Sequence, residues 1–246
     1  MRLTDKVALV TGAGSGMGAV IAETFAREGA RVALLDVNEQ AAKDVAATFG
    51  KAAIAIGCDV SKKSEIDAAL AGTIRAFGKL DILVNNAGIS HVNKPLTDID
   101  EAEFDRVFAV NVKGVFLLSQ AALPHLRKNG SGVIINIGST AGLRPRPGLS
   151  AYSATKGAVH NLTKTLAVEL APDKIRVVAI APVATETPLL STFLGSEENR
   201  PKFIASVPLG RLAQVSDITK VALFLASDEA AFVTGNIVEV DGGRCV

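Results

Sequence analysis

Short β-branched runs that are apolar at every position, rather than at every second one, constrain this chain more than any other feature. Val7-Ala8-Leu9-Val10 and Ala53-Ile54-Ala55-Ile56 are of this kind, and Val133 to Ile137 and Ile175 to Ile180 are each broken by one polar residue. A strand on a half-exposed sheet alternates apolar with polar residues. A strand buried on both faces does not, and such strands belong to parallel sheets covered by helices. Longer Ala-rich segments separate the runs. The pattern predicts strands at Val7–Val10, Arg31–Asp36, Ala53–Ile56, Leu80–Val84, Val133–Ile137, Ile175–Ile180 and Ile237–Val240. Helices are predicted from Gly16 to Glu28 (stopped by Gly29), from Glu39 to Phe49, and from a Ser61 N-cap to Phe77. Another is predicted from Asp100 to Arg127, interrupted near Pro124, and a further one from Ala151 to Leu170, closed by Pro172. Two more fall around Thr187–Ala205 and Asp217–Ala226. Alternating strands and helices joined by right-handed crossovers give an α/β, doubly wound sheet of about seven strands with helices on both faces.

No Pro/Gly/Ser linker and no charge block divides the 246 residues, so residues 1–246 read as one domain. The 26 Lys+Arg and 25 Asp+Glu leave a net charge of +1, which argues against nucleic acid as a partner. Two cysteines, Cys58 and Cys245, make neither a disulfide framework nor a zinc site, and no metal is expected. The longest unbroken apolar stretches, such as Val221–Ala226, are far short of the roughly 20 residues of a membrane span. The opening Met1-Arg2-Leu3-Thr4-Asp5-Lys6 has no secretory h-region, so a cytoplasmic protein is expected.

The segment Thr11-Gly12-Ala13-Gly14-Ser15-Gly16-Met17-Gly18 directly follows the first strand and opens the first helix. Glycines there let the backbone turn sharply and approach a pyrophosphate, which the free N–H groups of a helix start then meet. Alone, such a cluster is equally a tight turn. Its context favours a dinucleotide: Asp36 ends the second strand, where a carboxylate reaches the hydroxyls of an adenosine ribose. Asp36 as a helix cap is the plainer alternative. Repulsion between this carboxylate and a 2′-phosphate, roughly 1–4 kcal/mol at about 4 Å, biases the choice to NAD(H) over NADP(H).

Tyr152, the one tyrosine of the chain, and Lys156 stand at i and i+4 on one helix face. An ammonium beside a phenol lowers its pKa from about 10 and makes it usable in proton transfer, although a bare pair of this spacing is more often a surface feature. Ser139 ends the fifth strand and Asn85-Asn86-Ala87-Gly88 the fourth, at the carboxyl edge where open α/β sheets bind ligands. On these pieces, with Cys58-Asp59-Val60, Asn111 in FAVNVKG and the closing VDGG (240–243), the chain resembles the short-chain dehydrogenase/reductase family over nearly its whole length. The resemblance implies a Rossmann fold, NAD(P)-dependent alcohol/carbonyl chemistry and a homotetramer. It makes Tyr152 the general acid–base, Ser139 the holder of the substrate oxygen, Lys156 the binder of the nicotinamide ribose and Asn111 the anchor of a water relay. It assigns the cofactor to Gly12, Ser15, Gly16, Met17, Gly18, Asp36, Asp59, Val60, Asn86, Ala87, Gly88, Tyr152, Lys156, Pro182, Thr185 and Thr187. Asp59 as a turn residue is the plainer alternative. Val183 stands where the family has glycine after Pro182, and a less permissive backbone is expected there.

Residues 188–208 are expected to form a substrate lid, whose Leu189, Leu190, Phe193, Leu194, Phe203 and Ile204 either line a pocket or, more commonly, pack the lid's own helices. Arg144 and Arg146 either meet an anionic substrate or acyl-carrier partner or, as the favoured reading, sit in a stiff solvated loop. His91 reads as a loop residue, His125 as a helix-end cation, His160 as a packing or interface residue, and Cys245 as inert. The expected activity is interconversion of a secondary alcohol and a ketone, with 3-oxoacyl or 3-hydroxyacyl thioesters as one substrate class. A small alcohol or sugar dehydrogenase of the same family is the alternative, and a non-catalytic dinucleotide sensor is the reading from another class.

Overall fold

In the computed structural model, which describes residues 1–246, seven parallel strands lie in the order β3-β2-β1-β4-β5-β6-β7. These are β1 (Val7–Thr11), β2 (Arg31–Asp36), β3 (Ala53–Gly57), β4 (Ile82–Asn85), β5 (Gly132–Ile137), β6 (Ile175–Pro182) and β7 (Ile237–Val240). Unbroken apolar runs feed two cores at once. Ala8, Val10, Val32 and Leu34 enter a 29-residue cluster on one face, while Val7, Leu9, Ala33 and Leu35 enter a 21-residue cluster on the other. Helices α1 (Gly16–Arg27), α2 (Glu39–Ala47), α3 (Lys63–Phe77), α4 (Glu101–Phe108), α5 (Gly114–Lys128), α6 (Ser150–Leu170), α7 (Leu190–Leu194), α8 (Arg200–Ala205) and α9 (Val215–Ala226) complete the chain.

Three local expectations are corrected. The long helix is not interrupted at Pro124, which lies inside α5 with the Gln120 end of the missing bond on the exposed face. The irregularity is a π-helical turn, Ala109–Lys113, that carries Asn111. Ser61 does not cap α3: its hydroxyl donates to Asp59 Oδ1 at 2.7 Å, and Lys62 stands at the N-cap position without a side-chain bond. The segment predicted as a helix around Thr187–Ala205 is two short helices, α7 and α8, with Gly195 at a left-handed φ of 68° between them. The combined α4–α5 helix is long and apolar enough to cross a membrane, yet its α5 half packs on β4, β5 and α3 and buries Val115, Leu118, Ala122 and Leu126 as a core helix does.

Beneath the carboxyl edge a buried amide chain ties strands to helices. Asn85 Nδ2 donates to Asn136 Oδ1 at 2.8 Å and to Ser119 Oγ at 3.3 Å, and Asn136 Nδ2 donates to Thr163 Oγ1 at 2.9 Å. Removing the middle member strands the neighbours' polar atoms in the core. The Asn136→Ala variant is therefore expected to lose about 1–3 kcal/mol of stability, read as a lower urea midpoint at unchanged slope; an unmoved midpoint would show that the chain carries no stability.

Candidate active site

The strand order places the crevice between the ends of β1 and β4, whose connections leave to opposite sides of the sheet. Gly12 takes φ 62°, a left-handed conformation that glycine alone adopts without strain. A Cβ on Gly18 would lie 2.1 Å from the Gly12 carbonyl oxygen and 2.4 Å from Asn86 Nδ2, so no side chain fits there. Asn86 Nδ2 donates to the carbonyls of Thr11 at 2.8 Å and Gly12 at 3.1 Å. In return Thr11 Oγ1 accepts the N–H groups of Asn86 and Ala87, both at 3.0 Å. Thr11 was missed as a site residue; its signal is a hydroxyl at the last position of an otherwise apolar strand. Asp36 takes the Gly14 N–H on Oδ2 and the Asn38 N–H on Oδ1, both at 2.9 Å, so it braces the glycine turn from β2, while Asn38 caps α2. Asp59 holds Ser61, and that bond is the main cause that keeps its carboxyl below the usual range.

A cavity of about 650 Å³ runs along this edge. Every expected site residue lines it except Gly18, which packs beneath the turn, and Asn111. Asn111 is fully buried: its Oδ1 accepts the Ile89 N–H at 2.9 Å, and its Nδ2 donates to Ile89 O at 2.9 Å and Thr155 Oγ1 at 3.1 Å. Its side chain thus fixes the backbone after Gly88. Lys156, buried, donates from Nζ to Ile137 O at 2.8 Å and lies 5.6 Å from the centre of the Tyr152 ring. The Tyr152 ring packs on Phe193 of α7 at 5.0 Å. Ser139 Oγ accepts from Ala141 N at 3.0 Å, and its own N–H points to His160 Nε2 at 3.4 Å. His160 is thus a packing residue under the Ser139 turn, kept neutral because burial and then Lys156 push its pKa down to about 4. His91 is a loop residue but a fully buried one, with Nδ1 2.9 Å from the Val92 carbonyl.

The expected lowering of the Tyr152 pKa by Lys156 is not what governs the site. Burial pushes the phenol up to about 12, against a smaller downward pull from the Ser139 hydroxyl, and burial pushes Lys156 down to about 8. Val183 is likewise unstrained: it joins the core, and its N–H continues the sheet to Val240 O at 3.2 Å, without a left-handed φ. Thr185 Oγ1 donates to Val183 O at 2.8 Å and Thr187 Oγ1 to Thr185 O at 3.3 Å, turning the chain past the cavity. Both readings of residues 188–208 hold in part. Leu190, Leu194 and Phe203 pack with Leu212 as a small core of their own, while Leu189, Phe193 and Phe203 line the cavity. The solvated-loop reading holds for Arg144, which is exposed, and is corrected for Arg146, which is half-buried; both line the cavity and bond to distant segments.

The donor set fits a dinucleotide. The glycine turn excludes side chains, the first turn of α1 has no acidic residue, Ser15 leaves that turn's N–H groups without a side-chain bond, and Asp36 stands at the cavity wall. A family profile described as Enoyl-(Acyl carrier protein) reductase matches residues 12–244. The 4-formylbenzenesulfonate dehydrogenase TsaC1/TsaC2 of Comamonas testosteroni is 44% identical over 250 residues, 99% of each chain. The 2-(S)-hydroxypropyl-CoM dehydrogenase 3 of Xanthobacter autotrophicus is 42% identical over 249 residues, 98% of this chain and 97% of that one. Among solved structures, 3-ketoacyl-(acyl-carrier-protein) reductase from Brucella melitensis complexed with NADH has a TM-score of 0.95 at 48% identity, covering 99% of this chain and 100% of that one. The chain belongs to the short-chain dehydrogenase/reductase family, and it is an oxidoreductase of CH–OH and C=O groups that uses a nicotinamide dinucleotide.

The lowered Lys156 pKa has a consequence for stability. An unfolded lysine titrates near 10.5 and the folded one near 8, so between these values the unfolded chain binds more protons and stability rises with pH. Below pH 8 the buried ammonium costs on the order of 3 kcal/mol. The cofactor-free Lys156→Met protein is expected to melt above the parent at pH 7, with the gap shrinking toward pH 10. Equal melting temperatures at pH 7 would show that the ammonium is not destabilising.

Proposed function

We propose that the protein is an NAD(H)-preferring dehydrogenase/reductase that interconverts a secondary alcohol and a ketone, with Tyr152 as general acid–base. The observation that carries this reading is the convergence of Tyr152, Ser139 and Lys156 on one cavity wall, opposite a glycine turn shaped for a dinucleotide. Bound NAD(H) supplies or accepts the hydride. Gly12, Ser15, Gly16 and Met17 hold its pyrophosphate end, with Gly18 beneath them. Asp36, Asp59 and Val60 hold its adenosine end. Asn86, Ala87, Gly88, Lys156, Pro182, Thr185 and Thr187 hold its nicotinamide half. Tyr152 gives a proton to the substrate oxygen in reduction and takes it back in oxidation. The Ser139 hydroxyl is the second donor to that oxygen. Lys156, fixed by Ile137 O, sets the field around the phenol, and Asn111, bonded to Thr155 Oγ1 next to Lys156, is the anchor of the water relay. Residues 188–208 serve as the lid, and their tie to the Tyr152 ring through Phe193 supports this.

A homotetramer and a cytoplasmic setting belong to the same reading. The exposed apolar Phe104, Phe116 and Val168 on α4, α5 and α6 support assembly, and the free thiols of Cys58 and Cys245 support a reducing compartment.

The test is NADH oxidation with acetoacetyl-CoA and with cyclopentanone, in the parent and in Tyr152→Phe. Parent turnover with either, reduced about 100-fold or more in the variant while NADH affinity stays within a few-fold, is the expected result. A variant as active as the parent removes Tyr152 from proton transfer. For cofactor choice, Asp36→Ala is expected to raise the NADPH-to-NADH ratio of kcat/KM by about tenfold or more; an unchanged ratio would place Asp36 away from the 2′ position.

A further inference from the structure

The loop between Ser139 and Tyr152 brings two guanidinium groups to the cavity wall, and a third packs against them from near the C-terminus. Arg146 is half-buried, lies over the Phe203 ring at 4.2 Å and donates to Ser206 Oγ. Arg144 Nη1 donates to the backbone oxygens of Arg244 at 2.6 Å and Val246 at 3.2 Å. Arg244 is only 6% exposed; its Nη2 donates to Arg144 O at 3.2 Å, and its Nε and Nη1 are buried without a partner. No Asp or Glu side chain pairs with any of the three; Arg144 alone meets a carboxyl oxygen, that of Val246. Asp241, three positions before Arg244, is taken by the N–H groups of Gly243 at 2.9 Å and Cys245 at 2.7 Å. The crowding is felt at Arg146, whose pKa burial and the neighbouring Arg244 and Arg144 charges lower from the ordinary guanidinium value.

Arg146, half-buried at the cavity, and Arg244, buried behind it, have no acidic partner; such charges are costly, and an anion that the cavity admits relieves the cost at Arg146. The wall that Arg146 shares with Tyr152 is apolar: Leu149, Leu189, Phe193 and Phe203. We propose that this arginine cluster binds the anionic tail of the substrate, so that the carbonyl compound or alcohol carries a carboxylate or sulfonate at the far end of an apolar body. Arg146 is the specificity-determining residue, and Arg144 and Arg244 supply the surrounding field. The proposal rests on the oxidoreductase reading above, since it places the reacting carbon at Tyr152.

The test compares three ketones of similar shape, 4-acetylbenzoate, 4-acetylbenzenesulfonate and neutral 4-methylacetophenone, with NADH and the parent, Arg146→Met and Arg146→Lys proteins. At least one anionic ketone is expected to exceed the neutral one by about 30-fold or more in kcat/KM, chiefly through KM. Arg146→Met should collapse that ratio to near one, and Arg146→Lys should restore part of it. A parent ratio near one, or a Met variant that lowers all three ketones by the same factor, overturns the anionic tail and leaves the oxidoreductase reading standing. Calorimetric titration of the NADH-loaded proteins with 4-methylbenzoate decides the case if no ketone is turned over, an outcome that counts against the redox reading alone. Binding by the parent that is lost in Arg146→Met supports the cluster, and absence of binding to the parent overturns it.

Discussion

Two strands that lie side by side and then part company leave a gap that something must close. At the ends of β1 and β4 the chain turns away to opposite sides, so no third strand takes up the last carbonyls of β1. The amide of Asn86 does so with both of its donors, and the hydroxyl of Thr11 returns two bonds to the Asn86-Ala87 backbone. Because the glycine turn and the Asn86-Ala87-Gly88 segment share these four bonds, the cavity floor is one piece rather than two loops. Gly18 is tied to the same spot, its missing side chain leaving room for Asn86 Nδ2. Each element at this edge thus takes its position from that junction, and a polar side chain there is structural before it is anything else.

The electrostatics of the opposite wall follow from burial. Tyr152 and Lys156 are placed on one face of α6 by their spacing and enclosed by Phe193 and the Ser139 turn. Burial holds the proton on the phenol to about 12, against a smaller downward pull from Ser139, and makes the ammonium release its own near 8. The two shifts run against the simple picture of an ammonium sharpening a phenol across a short gap: at 5.6 Å from the ring, with Nζ bonded to Ile137 O, Lys156 acts less on the phenol than desolvation does. A polar partner for either side chain opposes the shift that burial imposes.

Much of this was legible in the sequence because it is local. Burial on both faces writes itself into Val7–Val10 as an unbroken run, and the i, i+4 placement of Tyr152 and Lys156 needs only a helix. The crevice residues follow from strand ends. What escaped depends on segments far apart in the chain. Ser61 has the chemistry of an N-cap, but a carboxylate two residues earlier took its hydroxyl. Pro124 should break a helix, yet its lost bond falls at exposed Gln120, while the true irregularity is the π turn that carries Asn111 to Ile89 and Thr155. The solvation expected for Arg146 failed because its partner, Ser206, stands 60 positions away. Arg244 carried no signal at all.

That division separates the two halves of the cavity. The half shaped for the dinucleotide is built mainly from backbone, glycines and strand ends, which short sequence patterns fix. The other half is built from side chains of the Arg144–Leu149 loop, α7 and α8, which meet only in the folded chain. Changing a few of those side chains leaves the sheet, the Asn86 junction and the Tyr152-Lys156 pair untouched. In this chain that half carries an apolar wall beside Arg146, and under the proposal substrate choice is made there, not at the reacting centre.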